Sequence, residues 1–293
     1  MATSQPPYIP GIVKLVSKKR VNDEFVQIKI SGSCLKDLAE HGLDQRIKIL
    51  VPQQQPPFSA PLVNDSQHWY ENWRSLSDSD REAIRTYTIL NPSSDNESLE
   101  LLIANHEPEG VVGKWLSAAN LNDELVVVFP NKLSPDSFTG IDWQPGNASE
   151  LLLLGDATSI PAIIGILQGI QSDGHGLVNG TVVIESAVPL HALNLPETAL
   201  EVVWLPTCPG DFPGTQLASW AASHFAVTGN GIDSVAEDEL VWDSPVAEGR
   251  ERYLWCAAEA GAVKTIRRLV KESAAYSKRD CAFMGYWKRG FAG

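Results

Sequence analysis

Apolar and polar positions alternate through the first half of the chain and give way to continuous apolar runs in the second. Gly11-Ile12-Val13-Lys14-Leu15-Val16 and Phe25-Val26-Gln27-Ile28-Lys29-Ile30 have the period of half-buried strands, and the polar Ser17 to Glu24 between them predicts a hairpin. Gln45 to Val51 predicts a third strand, ended by Pro52. A Pro-rich loop, Gln53 to Pro61, leads to Trp69, Tyr70 and Trp73, aromatic enough for a packed flap. Arg85 to Leu90, Leu99 to Ala104 and Leu125 to Pro130 complete six strands, with one short helix from Val111 to Leu116. Six such strands predict a small antiparallel β-barrel.

Near Ser149 the period changes. Leu151-Leu152-Leu153-Leu154 is apolar on both sides, as in a strand covered on both faces within a parallel sheet. Gly155 to Ser159 turns the chain, and Ile160 to Gln171 predicts a helix with Pro161 in its first turn. Thr181 to Glu185, Glu201 to Leu205 and Tyr253 to Ala258 predict further buried strands, with helices around Thr215 to Phe225 and Gly261 to Ser273. Strands alternating with helices predict an α/β domain whose ligands lie at the carboxyl ends of the strands. The expected division is a barrel over 1–146 and a parallel-sheet α/β domain over 147–293.

Two places carry chemistry. Strand alternation puts Arg85, Tyr87 and Ile89 on one side and Thr86, Thr88 and Leu90 on the other. A fixed cation beside a phenol ring suits a phosphate next to a planar heterocycle, with the Thr88 hydroxyl within reach of ring polar atoms. The same residues also fit an ordinary half-buried strand with a snorkelling arginine and a core tyrosine. The second place is the pair of strand ends at Gly155-Asp156-Ala157-Thr158 and Ala258-Glu259-Ala260-Gly261, where Asp156 and Glu259 serve a ligand or cap a helix. The Gly-bearing start of the Val111 helix offers backbone N–H groups to a pyrophosphate. Neither a Gly-x-Gly-x-x-Gly nor a Gly-x-x-x-x-Gly-Lys motif is present.

Composition narrows the classes. The 293 residues are 43% hydrophobic and 20% charged, the signature of a soluble globular chain of two ordinary domains. Its longest apolar run, Ile160 to Leu167, falls far short of the roughly 20 residues that span a bilayer. The start of the chain has no signal-peptide pattern, so the expected location is cytoplasmic. A formal charge of -13 excludes a nucleic-acid binder of the electrostatic kind. The scattered Cys34, Cys208, Cys256 and Cys281 form no metal or iron–sulfur spacing and are expected as free thiols.

Taken in order, these pieces resemble the siderophore-interacting protein family of flavin-dependent ferric-siderophore reductases, within the wider ferredoxin-reductase-like group. Arg85-Thr86-Tyr87-Thr88 matches the family's flavin motif. Leu101 to Trp115 looks like the next flavin segment, with Ile103, Ala104, His106, Val111, Val112, Gly113 and Trp115 in it. Leu154 to Ile163 is close to the Gly-Asp-Glu-Thr-x-x-Pro-Ala-Ile signature, and Tyr253 to Lys264 is similar to an Ala-Gly-Glu-Ala-Gly signature. Gly285-Tyr286-Trp287-Lys288-Arg289-Gly290 matches a C-terminal Gly-Tyr-Trp-basic motif. Three departures stand out: Glu107 where members carry Gly, Ala258 in place of Gly, and Pro206-Thr207 where many have His-Arg.

The resemblance implies FAD held by the barrel, its ring between the two domains, and electrons passed to Fe(III) in a siderophore. Arg85 would meet the pyrophosphate, Tyr87 the ring and Thr88 a ring polar atom, with Val111 to Gly113 on phosphate. Trp287, after Tyr286, would stack on adenine or cover the flavin. Asp156, Thr158, Ser159 and Glu259 would line the electron-donor side. The donor would be NADH, NADPH or reduced ferredoxin, and the missing His-Arg weakens the case for NADPH. Lys48, with Lys288 and Arg289, would give an anionic ferric chelate its basic mouth. No membrane or nucleic-acid partner and no resident metal are implied, and the expected state is a monomer. Two other readings remain at this point: a general NAD(P)H:flavin or ferredoxin-type reductase, and a redox-silent siderophore-binding flavoprotein.

Overall fold

A computed structural model describes residues 5–51, 63–104, 110–172, 178–227, 231–234, 241–244 and 249–290. Contacts divide the chain into two compact units that meet at Ile141 and Asp142.

The first unit is a seven-stranded antiparallel sheet with the order β4-β3-β7-β1-β2-β6-β5. Its strands are β1 (Tyr8–Arg20), β2 (Phe25–Ser31), β3 (Arg46–Val51), β4 (Ala83–Thr88), β5 (Asn91–Ser93), β6 (Ser98–Ala104) and β7 (Glu124–Pro130). Alternation sends Val13, Leu15, Ile28, Ile30, Leu99 and Leu101 into one core together with Leu125, Val127 and Phe129 of β7. β7 is apolar on both faces because its other side, with Val126 and Val128, is covered as well. Trp69 and Trp73 of helix α1 (Trp69–Ser75) pack there with Leu50. The Trp73 indole donates to the Glu82 carbonyl at 2.9 Å and ties the helix to the approach of β4. Helix α2 (Val111–Ala118) seats Val112, Trp115 and Leu116 on the main core. Lys18 Nζ donates to the Leu116 and Ala119 carbonyls at its end, at 2.6 and 2.9 Å, an arrangement the helix dipole favours.

β5 has no counterpart among the six strands expected from the sequence. The segment pairs with β6 on the edge of the sheet, where Pro92 removes no needed donor.

The second unit holds a six-stranded sheet, order β10-β9-β8-β12-β13-β11. Its strands are β8 (Glu150–Asp156), β9 (Asn179–Ser186), β10 (Glu201–Pro206), β11 (Trp242–Asp243), β12 (Arg252–Glu259) and β13 (Cys281–Trp287). All neighbours are parallel except the two-residue β11 against β13. Helices α3 (Ile160–Ser172), α4 (Thr215–His224) and α5 (Ala260–Ser273) accompany it. Tyr253 and Trp255 of β12 are wholly buried, each worth about 1.5–3 kcal/mol as apolar burial. Leu152 and Leu154 of β8 pack with α4 and α5 residues such as Leu217, Val263 and Ile266. β13 has no counterpart among the expected strands: Cys281-Ala282-Phe283-Met284 carries no β-branched residue to signal one. Residues 142 to 144, ahead of the change of period near Ser149, pack with this unit. The Tyr253 hydroxyl donates to the Asp142 carbonyl at 3.1 Å, and its ring meets Trp143 edge-on.

Candidate functional site

In the first unit the decisive geometry is on β4. Pairing with β3 sets Tyr87 opposite Ile47 and Arg85 opposite Ile49, all on the core-facing side. Thr86 and Thr88 face the other way, opposite Lys48 and Arg46. The ring of Tyr87 packs against the core while remaining half-buried, and burial pushes its phenol well above the ordinary range. Burial draws the Arg85 guanidinium below its usual value, with Tyr87 opposing, and Arg85 Nη1 donates to the Ile84 carbonyl at 2.7 Å. Thr88 is buried and Thr86 exposed.

α2 begins at Gly110, which has no side chain to cap it, and no acidic residue lies in its first turn. The first-turn residues Val111, Val112 and Gly113 therefore start a helix whose positive pole carries no carboxylate of its own turn. Trp115 Nε1 is buried without a hydrogen-bond partner among the described residues, a donor still to be satisfied. Ile103 is buried in the core and Ala104 ends β6 half-buried. His106 lies outside the described residues.

Lys48 is on the opposite side of β3 from Ile47 and Ile49, paired with Thr86 and Val128. The period of β3 thus separates it from the Arg85–Tyr87 face of the same sheet. Burial and the neighbouring Arg46 lower its pKa. Lys288 and Arg289 belong to the second unit. Arg289 is exposed, with its guanidinium over the Phe212 ring at 5.0 Å.

At the carboxyl ends of the second unit's strands, Asp156 Oδ1 accepts from Thr158 N at 2.9 Å and Thr158 Oγ1 at 2.6 Å. Its Oδ2 accepts from Glu259 N and from Trp287 Nε1, both at 2.8 Å. Glu259 Oε2 accepts from Gly261 N and Ala262 N at 2.6 and 3.2 Å, and Oε1 from Arg289 N at 3.1 Å. Ser159 Oγ donates to the Asp156 carbonyl at 2.7 Å. Burial raises the Asp156 carboxyl's pKa, and the bonds from Thr158, Trp287 and Glu259 pull it down. Helix capping, the ordinary alternative for both acids, is therefore what they do. Sequence reasoning passed over a third carboxylate. Glu185, at the end of β9, accepts from Gly214 N and Leu217 N at 2.9 and 2.8 Å and caps α4. Its one signal was an acid closing the apolar run Val182-Val183-Ile184. Tyr286 is half-buried, its ring parallel to that of Trp242 at 6.0 Å. Among the described residues no group of three His, Cys, Asp or Glu side chains is placed to hold a metal, and no helix is long and apolar enough to cross a membrane.

Two family models divide the chain. Residues 14–133 match the siderophore-interacting FAD-binding domain and residues 148–290 match the siderophore-interacting protein model. The chain belongs to the siderophore-interacting protein family. Its relatives include the ferric vibriobactin reductase ViuB of Vibrio cholerae, 21% identical over 96% of this chain and 90% of that protein. A ferric acinetobactin reductase of Acinetobacter baumannii is 22% identical over 70% of this chain and 61% of its own length. Among solved structures, the siderophore-interacting protein SipS of Aeromonas hydrophila aligns with a TM-score of 0.67 at 20% identity, covering 98% of this chain and 94% of that one. The ferredoxin reductase of carbazole 1,9a-dioxygenase aligns at 0.59 and 14% identity, over 96% and 70%. At such identities these structures speak for the fold, an antiparallel barrel-like sheet followed by an α/β unit of the ferredoxin-reductase type.

Proposed function

We propose that this chain is an FAD-dependent ferric-siderophore reductase that releases iron as Fe(II). The observation that carries the reading is in the first unit, within the segment that matches the FAD-binding model. Arg85 and Tyr87 share one face of β4, and α2 starts on a glycine that has no side chain to cap it. These residues fit the flavin: Arg85 would hold the pyrophosphate, Tyr87 would lie against the ring, and Val111 to Gly113 would offer their N–H groups to phosphate. Thr86 and Thr88, on the other face of this edge strand, would reach the ring from its side, and Ile103 and Ala104 would close over the dinucleotide. The orphaned Trp115 indole N–H supplies one more donor at the helix. When bound, FAD supplies the electron that takes Fe(III) to Fe(II). Fe(II) is bound less tightly than Fe(III) by hard oxygen chelators, so one electron loosens the chelate. Lys48, on the Thr86 side of the sheet, would attract an anionic chelate in a protein of net charge -13.

Purification tests this directly. The protein should be yellow, with a flavin absorbance band, and Arg85→Ala and Tyr87→Ala should each lower FAD content. A colourless protein that takes up no added FAD would sink the proposal. Lys48→Ala should weaken ferric-siderophore binding and leave FAD content unchanged; equal affinity would remove Lys48 from the site. Photoreduced protein should reoxidise on adding ferric siderophore, whereas a redox-silent binder would stay reduced.

A further inference from the structure

The second unit has the strand order of a nucleotide-binding sheet, with the order reversing at β8 and β12. A dinucleotide on such a sheet lies at the carboxyl edge, with its phosphates on helix N-termini and cations. The first is not met, and the second only by the two cations that follow β13. Asp156 accepts the Thr158 N–H at the turn that opens α3, Glu185 accepts two N–H groups at the start of α4, and Glu259 two at the start of α5. All three carboxylates are buried, at 6, 3 and 2% exposure, so each helix start already carries a fixed anion.

Glu185 occupies the position after the second parallel strand where an acid would grip a ribose hydroxyl, yet both its oxygens are spent on α4. The Trp287 indole reaches from the end of β13 past β12 to Asp156, and so lies over the point where the strand order reverses. From Lys132 to Arg250 the sequence holds no other Lys or Arg but fifteen Asp and Glu, so β8, β9 and β10 and the segments after them bring no cation. The cations nearest in sequence to this edge, Lys288 and Arg289, follow β13. Arg289 is exposed over Phe212, with its backbone N–H on Glu259.

We infer that this unit takes no pyridine dinucleotide, phosphorylated or not, and that Asp156 and Glu259 are positioning residues that fix the Trp287–Arg289 segment across the crevice instead. The reductant for Fe(III) is then not NADH or NADPH seated on this sheet. This deepens the reductase reading and rests on it only for turnover.

The test titrates the full chain with ADP-ribose, NADH and NADPH by ligand-observed NMR, after FAD uptake or a folded circular-dichroism spectrum has been recorded for the same sample. ADP-ribose carries the pyrophosphate and the ribose but no redox group, and it is titrated with FAD in excess so that its ADP half does not report the flavin site. Failure to take up FAD would count against the reductase reading alone. The expected result is no saturation for any of the three at concentrations up to about 1 mM, the level of a binding energy near 4 kcal/mol. Where flavin is bound, anaerobic flavin reduction should rise linearly with NADH and NADPH. Saturable binding with a Kd well under about 1 mM, or a saturating reduction rate, would overturn the inference.

Discussion

Asp156 accepts from four donors, and replacing it separates them by burial. In Asp156→Ala all four bonds are lost. The Thr158 and Glu259 backbone N–H groups are fixed by the fold where the carboxylate meets them, whereas the Thr158 hydroxyl and the half-buried Trp287 indole can turn to water. Two stranded buried donors at about 1–3 kcal/mol each put the loss near 4 kcal/mol. Asp156→Asn differs because the amide has one best orientation. With its NH2 toward Thr158, the Thr158 hydroxyl becomes the acceptor and only the Thr158 N–H is stranded, while the amide oxygen keeps Glu259 and Trp287. Burial of the native carboxylate opposes its charge, and the neutral amide escapes that cost. The Asn variant should therefore lose only about 1 kcal/mol. Equilibrium urea unfolding of the full chain gives both values, and the Trp287 indole N–H resonance, assigned by its loss in Trp287→Phe, reports the bond itself. It should stay put in the Asn variant and move in the Ala variant. Equal destabilisation by the two, or an indole shift common to both, would refute the bond-by-bond accounting.

Two further substitutions probe the same reasoning elsewhere. A Cβ added at Gly155 would lie 1.9 Å from Ser159 Oγ and 3.0 Å from Ile163 Cδ1, so Gly155→Ala should cost about 1–3 kcal/mol in unfolding free energy. Adding Ser159→Ala should recover part of that loss, and a double variant that is merely additive would show the clash is not with the hydroxyl. In the first unit, Glu82 is 2% exposed with neither carboxyl oxygen hydrogen-bonded among the described residues, and burial raises its pKa above 4.5. Its favourable contribution is complete below about pH 4.5 and is lost as pH rises through the raised value in the folded protein. Glu82→Gln should therefore match the native protein at pH 4 and exceed it by roughly 1–2 kcal/mol at pH 7.5 in denaturant unfolding. Parallel stability–pH curves for the two proteins would contradict this.

The sequence by itself determined the change of architecture near Ser149, because a period of two and an unbroken apolar run are local signatures of one-sided and two-sided burial. It also determined that Arg85 and Tyr87 share a face, since the alternation of a strand fixes that without any partner. Which face that is was decided by pairing: only the register of β3 against β4 shows that Lys48 stands on the other side. β13 was invisible for a similar reason. A short run of Cys, Ala, Phe and Met becomes a strand because β12 offers it an edge, not through any propensity of its own. The roles of the acids were decided furthest from the sequence. Asp156 and Glu259 are 103 residues apart, and Trp287 and Asp156 131, so their joining depends on three parallel strands ending together. Sequence could mark these carboxylates as ligands or as caps, and the choice rested with the helix starts that the tertiary structure brought to them.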